Sequence, residues 1–380
     1  MVIGINGYEA VVPRFGFDPK TGLPNRVGSS EFCYQLLSSL SRLDKKNNYF
    51  IYLPVNPASD MPKETDKWHY IVFTSKKLWT LIGLSRKLSK NENKLDVFFS
   101  PTHYLPVITN SKSVISIMDV SYLHFPKLFK KKDLYQLKFW GKYSIKKAKK
   151  IITISQSSKS DIIKSYDIPA DKIAVVYPGI ERVSSIQYSV LSMDELRNKF
   201  GIKNKYILFV GTLQPRKNIE RLIEAFAKLK RDDLDLVIVG KKGWMFEDIL
   251  NAPKKFGVTD SVHFLHNVTD EDLPSFYRFA EIFVLPSLYE GFGLPVLEAM
   301  KYGCPVITSD ISSLPEAGGD AALYVDPKDT DDIVLKMRKL LEDENLRKDL
   351  ITKGTKQVEK FSWEKSASET LKVLEEVANA

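Results

Sequence analysis

Apolar residues alternate between two patterns along this chain: short runs rich in Val, Ile, Leu, Phe and Tyr, and longer stretches with apolar positions three or four apart. The runs read as strands buried on both faces and the stretches as amphipathic helices, so their alternation predicts an α/β protein with parallel sheets built from βαβ units. In the first half the predicted strands are Val2 to Ile5, Tyr49 to Leu53, Tyr70 to Phe73, Val97 to Ser100, Val114 to Met118, Ile151 to Ile154 and Ala174 to Tyr177. A second series comprises Tyr206 to Val210, Leu234 to Val239, Val262 to Leu265, Ile282 to Leu285, Val306 to Thr308 and Leu323 to Val325. The polar stretch from Glu181 to Leu191 follows neither pattern and marks a boundary, giving one domain over 1–183 and another over 184–362. In a final helix from Trp363 to Val377, the residues Trp363, Ala367, Leu371, Val373 and Leu374 recur at helical spacing, so one face must be buried.

Composition narrows the class. With 380 residues and 43% apolar content the chain exceeds one core and can fill two. Cys33 and Cys304 each sit in an apolar stretch, so neither a disulfide framework nor a zinc site is expected, and a reducing, cytoplasmic compartment is. The sequence opens on Val2-Ile-Gly-Ile-Asn without a charged leader, and no stretch reaches the length of a membrane span. A net charge of +9 suits an anionic ligand, an anionic membrane surface or nucleic acid equally. Much of it lies between Lys127 and Lys150, where ten lysines face one acid and interleave with Phe129, Tyr135, Phe139, Trp140 and Tyr143. That segment reads first as a core-facing helix with a solvated lysine face, and alternatively as a peripheral contact with an anionic membrane.

Ligands of open α/β sheets bind beyond the carboxyl ends of the strands, which directs attention to three loops of the second half. Gly211-Thr-Leu-Gln-Pro-Arg-Lys-Asn turns on a glycine and is expected to deliver Arg216 and Lys217 at a helix start, where cations and helix N–H groups together suit a diphosphate. The plain alternative is that both cations are solvated first-turn residues, which the helix dipole disfavours without an anion. Pro286-Ser-Leu-Tyr-Glu-Gly-Phe-Gly-Leu-Pro-Val-Leu-Glu places Glu290 before a glycine turn and Glu298 on the first turn of the next helix, so that both could face one crevice with the amides of Phe292 to Val296 between them. Carboxylates there can accept sugar or ribose hydroxyls; the plain alternative is a loop charge and a favourable first-turn charge. The third loop, Gly240-Lys-Lys-Gly-Trp, reads equally as a basic glycine turn at the site or as a solvated loop.

At these residues the chain resembles glycosyltransferase family 4. The resemblance rests on E-G-F-G-L-P-x-x-E-A from Glu290 onward, Gly211-Thr-Leu-x-Pro-Arg-Lys-Asn, Val262-His-Phe-Leu, Asp272-Leu-Pro-x-x-Tyr and Ser313-Leu-Pro-Glu-Ala-Gly-Gly-Asp-Ala-Ala, in the family's order, and covers most of the chain from Tyr206 onward. It implies a GT-B fold: two facing Rossmann-like domains with parallel sheets, a cleft between them, and a last helix, 363–380, that rejoins the first domain. It also implies that Glu298 binds the ribose and Glu290 the donor sugar, with the amides of Phe292, Gly293 and Leu294 near sugar and diphosphate and Gly291 among the donor-binding residues. Gly211 and Thr212 would line the phosphate loop, and Arg216 and Lys217 would neutralise the leaving nucleotide. The co-substrate is then a nucleotide diphosphate sugar, with no metal or other cofactor required and the anomeric configuration retained. Asp233-Leu-Asp235 imitates an acidic metal motif but opens a strand, so it is read as chance.

Two positions depart from the family pattern: Thr212 stands where many members have arginine, and Met118 stands at the histidine of a His-Asp pair after a first-half strand. Asp119 remains as a catalytic candidate, able to bind a sugar hydroxyl or assist acceptor deprotonation. His103 and His124 are acceptor-side candidates, although a hydrogen-bonded structural histidine is the commoner case. The family's glycine-rich first loop is best matched by Gly22 to Gly28, where Gly28-Ser-Ser-Glu reads as a capped helix start. The reading is a hexosyltransferase moving a hexose from a nucleotide diphosphate sugar to a saccharide or lipid-linked saccharide in polysaccharide or lipopolysaccharide assembly, with mannose from GDP-mannose the preferred donor because the Thr212-Leu-x-Pro-Arg-Lys-Asn loop resembles that of mannosyltransferase members. The rivals are a nucleotide-sugar epimerase on the same architecture and a basic nucleic-acid binder, the latter without any recognisable nucleic-acid module.

Overall fold

A computed structural model describes every residue except 14–15, 19–20, 76–77, 91 and 181–190. The boundary segment expected from Glu181 to Leu191 therefore lies, apart from Leu191, outside the described residues. The chain divides into two compact units: Met1–His124, Phe129–Gly179 and Ser362–Ala380 form one, and Phe125–Leu128 with Ile180–Phe361 form the other.

The first unit holds a seven-stranded sheet of β1 (Val2–Asn6), β2 (Asn48–Leu53), β3 (Trp68–Val72), β4 (Val97–Ser100), β5 (Lys112–Ser116), β6 (Lys150–Thr153) and β7 (Ile173–Val175), in the order β3-β2-β1-β4-β5-β6-β7. Every pairing is parallel. β3, β5 and β7 start one or two residues earlier than apolarity predicts, because ladder pairing sets their ends: Lys112 pairs with Val97 although it is exposed. Ile117 and Met118 consequently fall past the end of β5, in the loop that leads to Asp119.

The second unit holds β8 (Lys205–Val210), β9 (Leu234–Val239), β10 (Val262–Leu265), β11 (Ile282–Leu285), β12 (Val306–Ser309) and β13 (Ala322–Val325), in the order β10-β9-β8-β11-β12-β13, again all parallel. All of β9 and β11 is buried, as continuous apolar runs require of strands covered on both faces. The order of connections across the sheet reverses at β8: they run from β8 outward to β9 and β10, then return to its other side with β11. That makes the crevice between the carboxyl ends of β8 and β11 a topological switch point, the place where open α/β sheets bind ligands.

The final helix, Trp363–Asn379, belongs to the first unit. Ser362 caps it, accepting from the Lys365 amide, and Trp363 meets the Phe32 ring edge-on at 5.7 Å. Its buried stripe of Trp363, Ala367, Val373, Leu374 and Val377 packs on the Ser29–Leu43 helix. At Gly179 a Cβ would lie 2.1 Å from the Trp363 nitrogen, so only glycine lets the chain pass this helix start so closely.

Candidate functional site

Two glycines bring the loops after β8 and β9 together. A Cβ on Gly240 would lie 1.9 Å from the Gly211 carbonyl oxygen, and one on Gly243 would lie 2.7 Å from that of Leu213. In the space so freed, the Leu213 amide donates to Lys241 O at 2.9 Å and the Gly243 amide to Leu213 O at 3.0 Å. The Gly240-Lys-Lys-Gly turn, which sequence left undecided, is thus bonded to the Gly211 loop, with the Thr212 side chain against Gly243.

Arg216 and Lys217 are not on the first turn of a helix, as expected from sequence, but on a separate 3₁₀ turn, Pro215–Lys217. Asn218 intervenes in a left-handed conformation before the Ile219–Leu229 helix, anchored by its amide group to Pro286 O and Pro327 O at 2.9 and 2.7 Å. Pro215 and the left-handed Asn218 isolate the turn, and the Leu288 amide locks it to the β11 loop by donating to Arg216 O at 2.9 Å.

This arrangement converges on Glu290, which is 6% exposed. Its Oε1 accepts from Lys217 Nζ at 2.6 Å and from Ser287 Oγ at 2.7 Å, while Oε2 accepts from Arg216 Nη1 at 2.9 Å. Arg216 also donates to Tyr289 O. Burial pushes the Glu290 carboxyl upward, but the adjacent Lys217 and Arg216 charges, with hydrogen bonds from Lys217 and Ser287, override it and hold the pKa at about 2. The triad therefore carries one net positive charge behind its own carboxylate. Three serines fix the Glu290 loop: Ser312 Oγ accepts from its amide at 3.1 Å, Ser312 and Ser313 donate to its carbonyl at 2.6 and 2.9 Å, and Ser309 donates to Ser287 O at 2.7 Å.

Gly293 adopts φ of 105°, opening the Leu294–Lys301 helix, and a Cβ there would lie 2.8 Å from Leu314. Gly291 and Phe292 are buried, with Phe292 edge-on to Phe361 at 5.3 Å, and Leu294 is partly exposed. Pro295 has no amide proton and the Val296 amide already donates to Gly293 O at 2.9 Å, which corrects the expectation of a row of ligand-facing amides through Val296. Glu298 falls on the second turn rather than the first and does not join the cation cluster. Its Oε2 accepts from Tyr277 Oη at 2.6 Å, and burial raises its pKa despite that bond.

The remaining candidates belong to the first unit. Asp119 Oδ1 accepts from the Ser121 amide at 2.8 Å, starting the short Ser121–His124 helix. His103 follows β4 and lies edge-on to Tyr104 at 6.4 Å. His124 is exposed, its Nε2 3.4 Å from Asp161. Gly28 is the cap of the Ser29–Leu43 helix, at φ of 57°, but without the side-chain cap bond that a capped start would carry; Ser30 Oγ instead bonds back to Val27 and Glu31 accepts from Gln35. Asp233 and Asp235 lie at the amino end of β9, opposite Gly240, bonded to Arg231 and to Asn204. Sequence reasoning missed Ser287, Ser312 and Tyr277. Of these, Ser287 and Tyr277 stood in quoted segments, Ser287 after Pro286 and Tyr277 as the tyrosine of Asp272-Leu-Pro-x-x-Tyr, while Ser312 stood in none.

Residues 61–182 match the family model described as Glycosyltransferase Family 4, and residues 192–357 match that described as Glycosyl transferases group 1. Over 283 residues the chain is 35% identical to O-antigen chain mannosyltransferase B of Escherichia coli, spanning 72% of this chain and 73% of the relative. The serotype-specific mannosyltransferase WbdA of Escherichia coli is 35% identical over 227 residues, 58% of this chain but 28% of that much longer relative. Sucrose-phosphate synthase of Thermosynechococcus elongatus shares the GT-B fold, with a TM-score of 0.74 at 17% identity, covering 99% of this chain and 98% of that one. Among the described residues no helix is long and apolar enough to cross a membrane. Two Rossmann-like parallel-sheet units, a cation and carboxylate cluster at the switch point of the second, and matches to both family models lead to one conclusion: the chain belongs to glycosyltransferase family 4 and is a glycosyltransferase.

Proposed function

We propose that this glycosyltransferase moves a hexose, mannose in our reading, from a nucleotide diphosphate sugar to a hydroxyl of a saccharide or lipid-linked saccharide, with retention of configuration. The observation that carries the reading is the Arg216–Lys217–Glu290 cluster where the carboxyl ends of β8 and β11 diverge. Two cations are gathered beside one carboxylate at the switch-point crevice, and guanidinium and ammonium groups so placed suit a diphosphate. Mannose and surface polysaccharide assembly are supported by the similarity to the Escherichia coli O-antigen chain mannosyltransferase.

In the reaction the bond from the sugar C1 to the diphosphate oxygen breaks, a bond from C1 to the acceptor oxygen forms, and the acceptor proton passes to the departing diphosphate on the same face. Arg216 and Lys217 then stabilise the negative charge that develops on the leaving group, the role that a metal ion would otherwise fill. Glu290, relieved of one cation by the phosphate, is positioned to accept a sugar hydroxyl. Glu298, steadied by Tyr277, accepts the ribose hydroxyls, and Asp119 acts on the acceptor side.

Incubation with GDP-mannose, UDP-glucose or ADP-glucose and a panel of soluble mannosides tests this, with the product anomer read by NMR. We expect α-linked product from GDP-mannose only when an acceptor is present, undiminished by EDTA. A β-linked product, or turnover of the donor without acceptor, contradicts the proposal.

A further inference from the structure

We infer that Phe361 is a positioning residue for the donor loop: together with Gln357 it holds the Gly291-Phe292-Gly293 turn where its amides serve the diphosphate and sugar, a role that rests on the donor reading above.

The turn cannot hold itself. Glycines on both sides of Phe292 leave the backbone conformationally permissive, and Gly293 adopts φ of 105°. Of the three residues only Phe292 has a side chain by which the turn can be gripped, and it is buried. Its ring meets that of Phe361 edge-on, with centroids 5.3 Å apart and planes at 63°. An edge-on aromatic pair is directional and contributes beyond the area it buries, so it fixes where the turn stands as well as covering it.

Phe361 is delivered by the end of the Glu344–Val358 helix. The Lys360 amide donates to Gln357 O at 3.2 Å and the Phe361 amide to Val358 O at 3.0 Å, turning the chain so that the Phe361 ring is buried, and the Ile180 amide donates to Phe361 O at 3.4 Å. Gln357, one turn earlier and also buried, reaches the donor loop by a second route. Its Nε2 donates to Glu316 O and Ala317 O at 3.2 and 3.0 Å, carbonyls in the last turn of the Leu314–Gly318 helix that the helix itself leaves unpaired, and its Oε1 accepts from Lys360 Nζ at 2.7 Å. A Cβ on Gly319 would lie 2.7 Å from that Oε1, so the glycine makes room for the amide. The short helix so held bears on the turn in its own right. Leu314 stands where a Cβ on Gly293 would come within 2.8 Å, and Ser313 donates to Glu290 O at 2.9 Å. Gly354 of the same long helix lies against Met300, on the helix that Gly293 opens, with room for a Cβ only at 3.1 Å. One helix end thus backs the donor loop at three points: Phe292 through Phe361, Leu314 and Ser313 through Gln357, and Met300 through Gly354.

Amide hydrogen exchange and calorimetric titration of the full chain test this. In the free protein Phe361→Ala should speed exchange over residues 291–294 roughly tenfold while residues 216–218 exchange at the parent rate. Phe361→Leu keeps most of the volume without the ring, so it should fold and speed the same amides about threefold. GDP-mannose should bind Phe361→Ala about tenfold more weakly than the parent, as for one lost hydrogen bond to phosphate, whereas GMP, which lacks the second phosphate and the sugar, should lose less than about twofold and so checks the fold. Gln357→Met should show the same split between the two ligands. Phe292→Ala should match Phe361→Ala, and the double replacement should bind no worse than Phe292→Ala alone, because each removes the same pair. Parent exchange rates over 291–294 in both Phe361 variants, equal weakening of GMP and GDP-mannose, or additive losses in the double replacement would overturn the role. Exchange is read without nucleotide, so a parent protein that fails to prefer GDP-mannose over GMP would overturn the donor reading, while the exchange rates still decide whether Phe361 holds the turn.

Discussion

At Glu290 two cations and a hydroxyl hold a carboxylate that burial alone would protonate. Replacing it by Gln removes the buried carboxylate charge that Arg216 and Lys217 share, which should cost about 3 kcal/mol of stability in denaturant unfolding of the free protein. Because a diphosphate can replace the lost charge, GDP should raise the unfolding midpoint of Glu290→Gln more than that of the parent, while transfer falls. The pH dependence follows from the lowered pKa: the folded value, about 2, lies below the ordinary 4.5, so the contribution is complete above 4.5 and lost as pH falls toward 2. Glu298 has the opposite sign, since burial raises its pKa and it loses its charge at a higher pH than an ordinary glutamate. Nucleotide affinity should therefore weaken on acidification before Glu290 titrates, and Glu298→Gln should bind weakly with that acid limb absent in a calorimetric titration across pH. The motif around Glu290 and Glu298 made both acids legible in sequence. Their partners Ser312 and Tyr277 were not legible as partners, because they come from other loops and helices, 22 and 21 residues away.

At the level of elements, strands buried on both faces announce themselves as apolar runs, so both sheets were readable; their ends were not, because ladder partners such as Lys112 and Val97 decide them. The Gly211 loop shows the limit of local reading. A basic residue pair after a glycine suggested a helix start, but the left-handed Asn218 and its bonds to Pro286 and Pro327 make a separate turn. Nor could sequence decide that the Gly240 turn joins the site, since that depends on a backbone approach across strands. Gly240→Ala would place a methyl 1.9 Å from the Gly211 oxygen and must spread the two loops. We expect a loss of about 1–3 kcal/mol in thermal unfolding and weaker nucleotide binding, whereas a variant with parental affinity would separate the Gly240 turn from the site.

Across the whole molecule, the last helix belongs with the first unit although it follows the second in sequence. Its periodicity required a buried face, and only the structure supplies the Ser29–Leu43 helix as the partner. Leu374→Ala, at a fully buried position, should destabilise the first unit by about 2–5 kcal/mol and expose it to limited proteolysis, with GDP binding by the second unit retained. The central claim is that Arg216 and Lys217 hold the donor diphosphate. It is tested most directly by calorimetric titration of GDP-mannose into the parent protein and into Arg216→Met and Lys217→Met. Each replacement should weaken binding roughly 10- to 100-fold, the loss expected for a charge-assisted hydrogen bond to phosphate. Affinities that match the parent in both variants would contradict it.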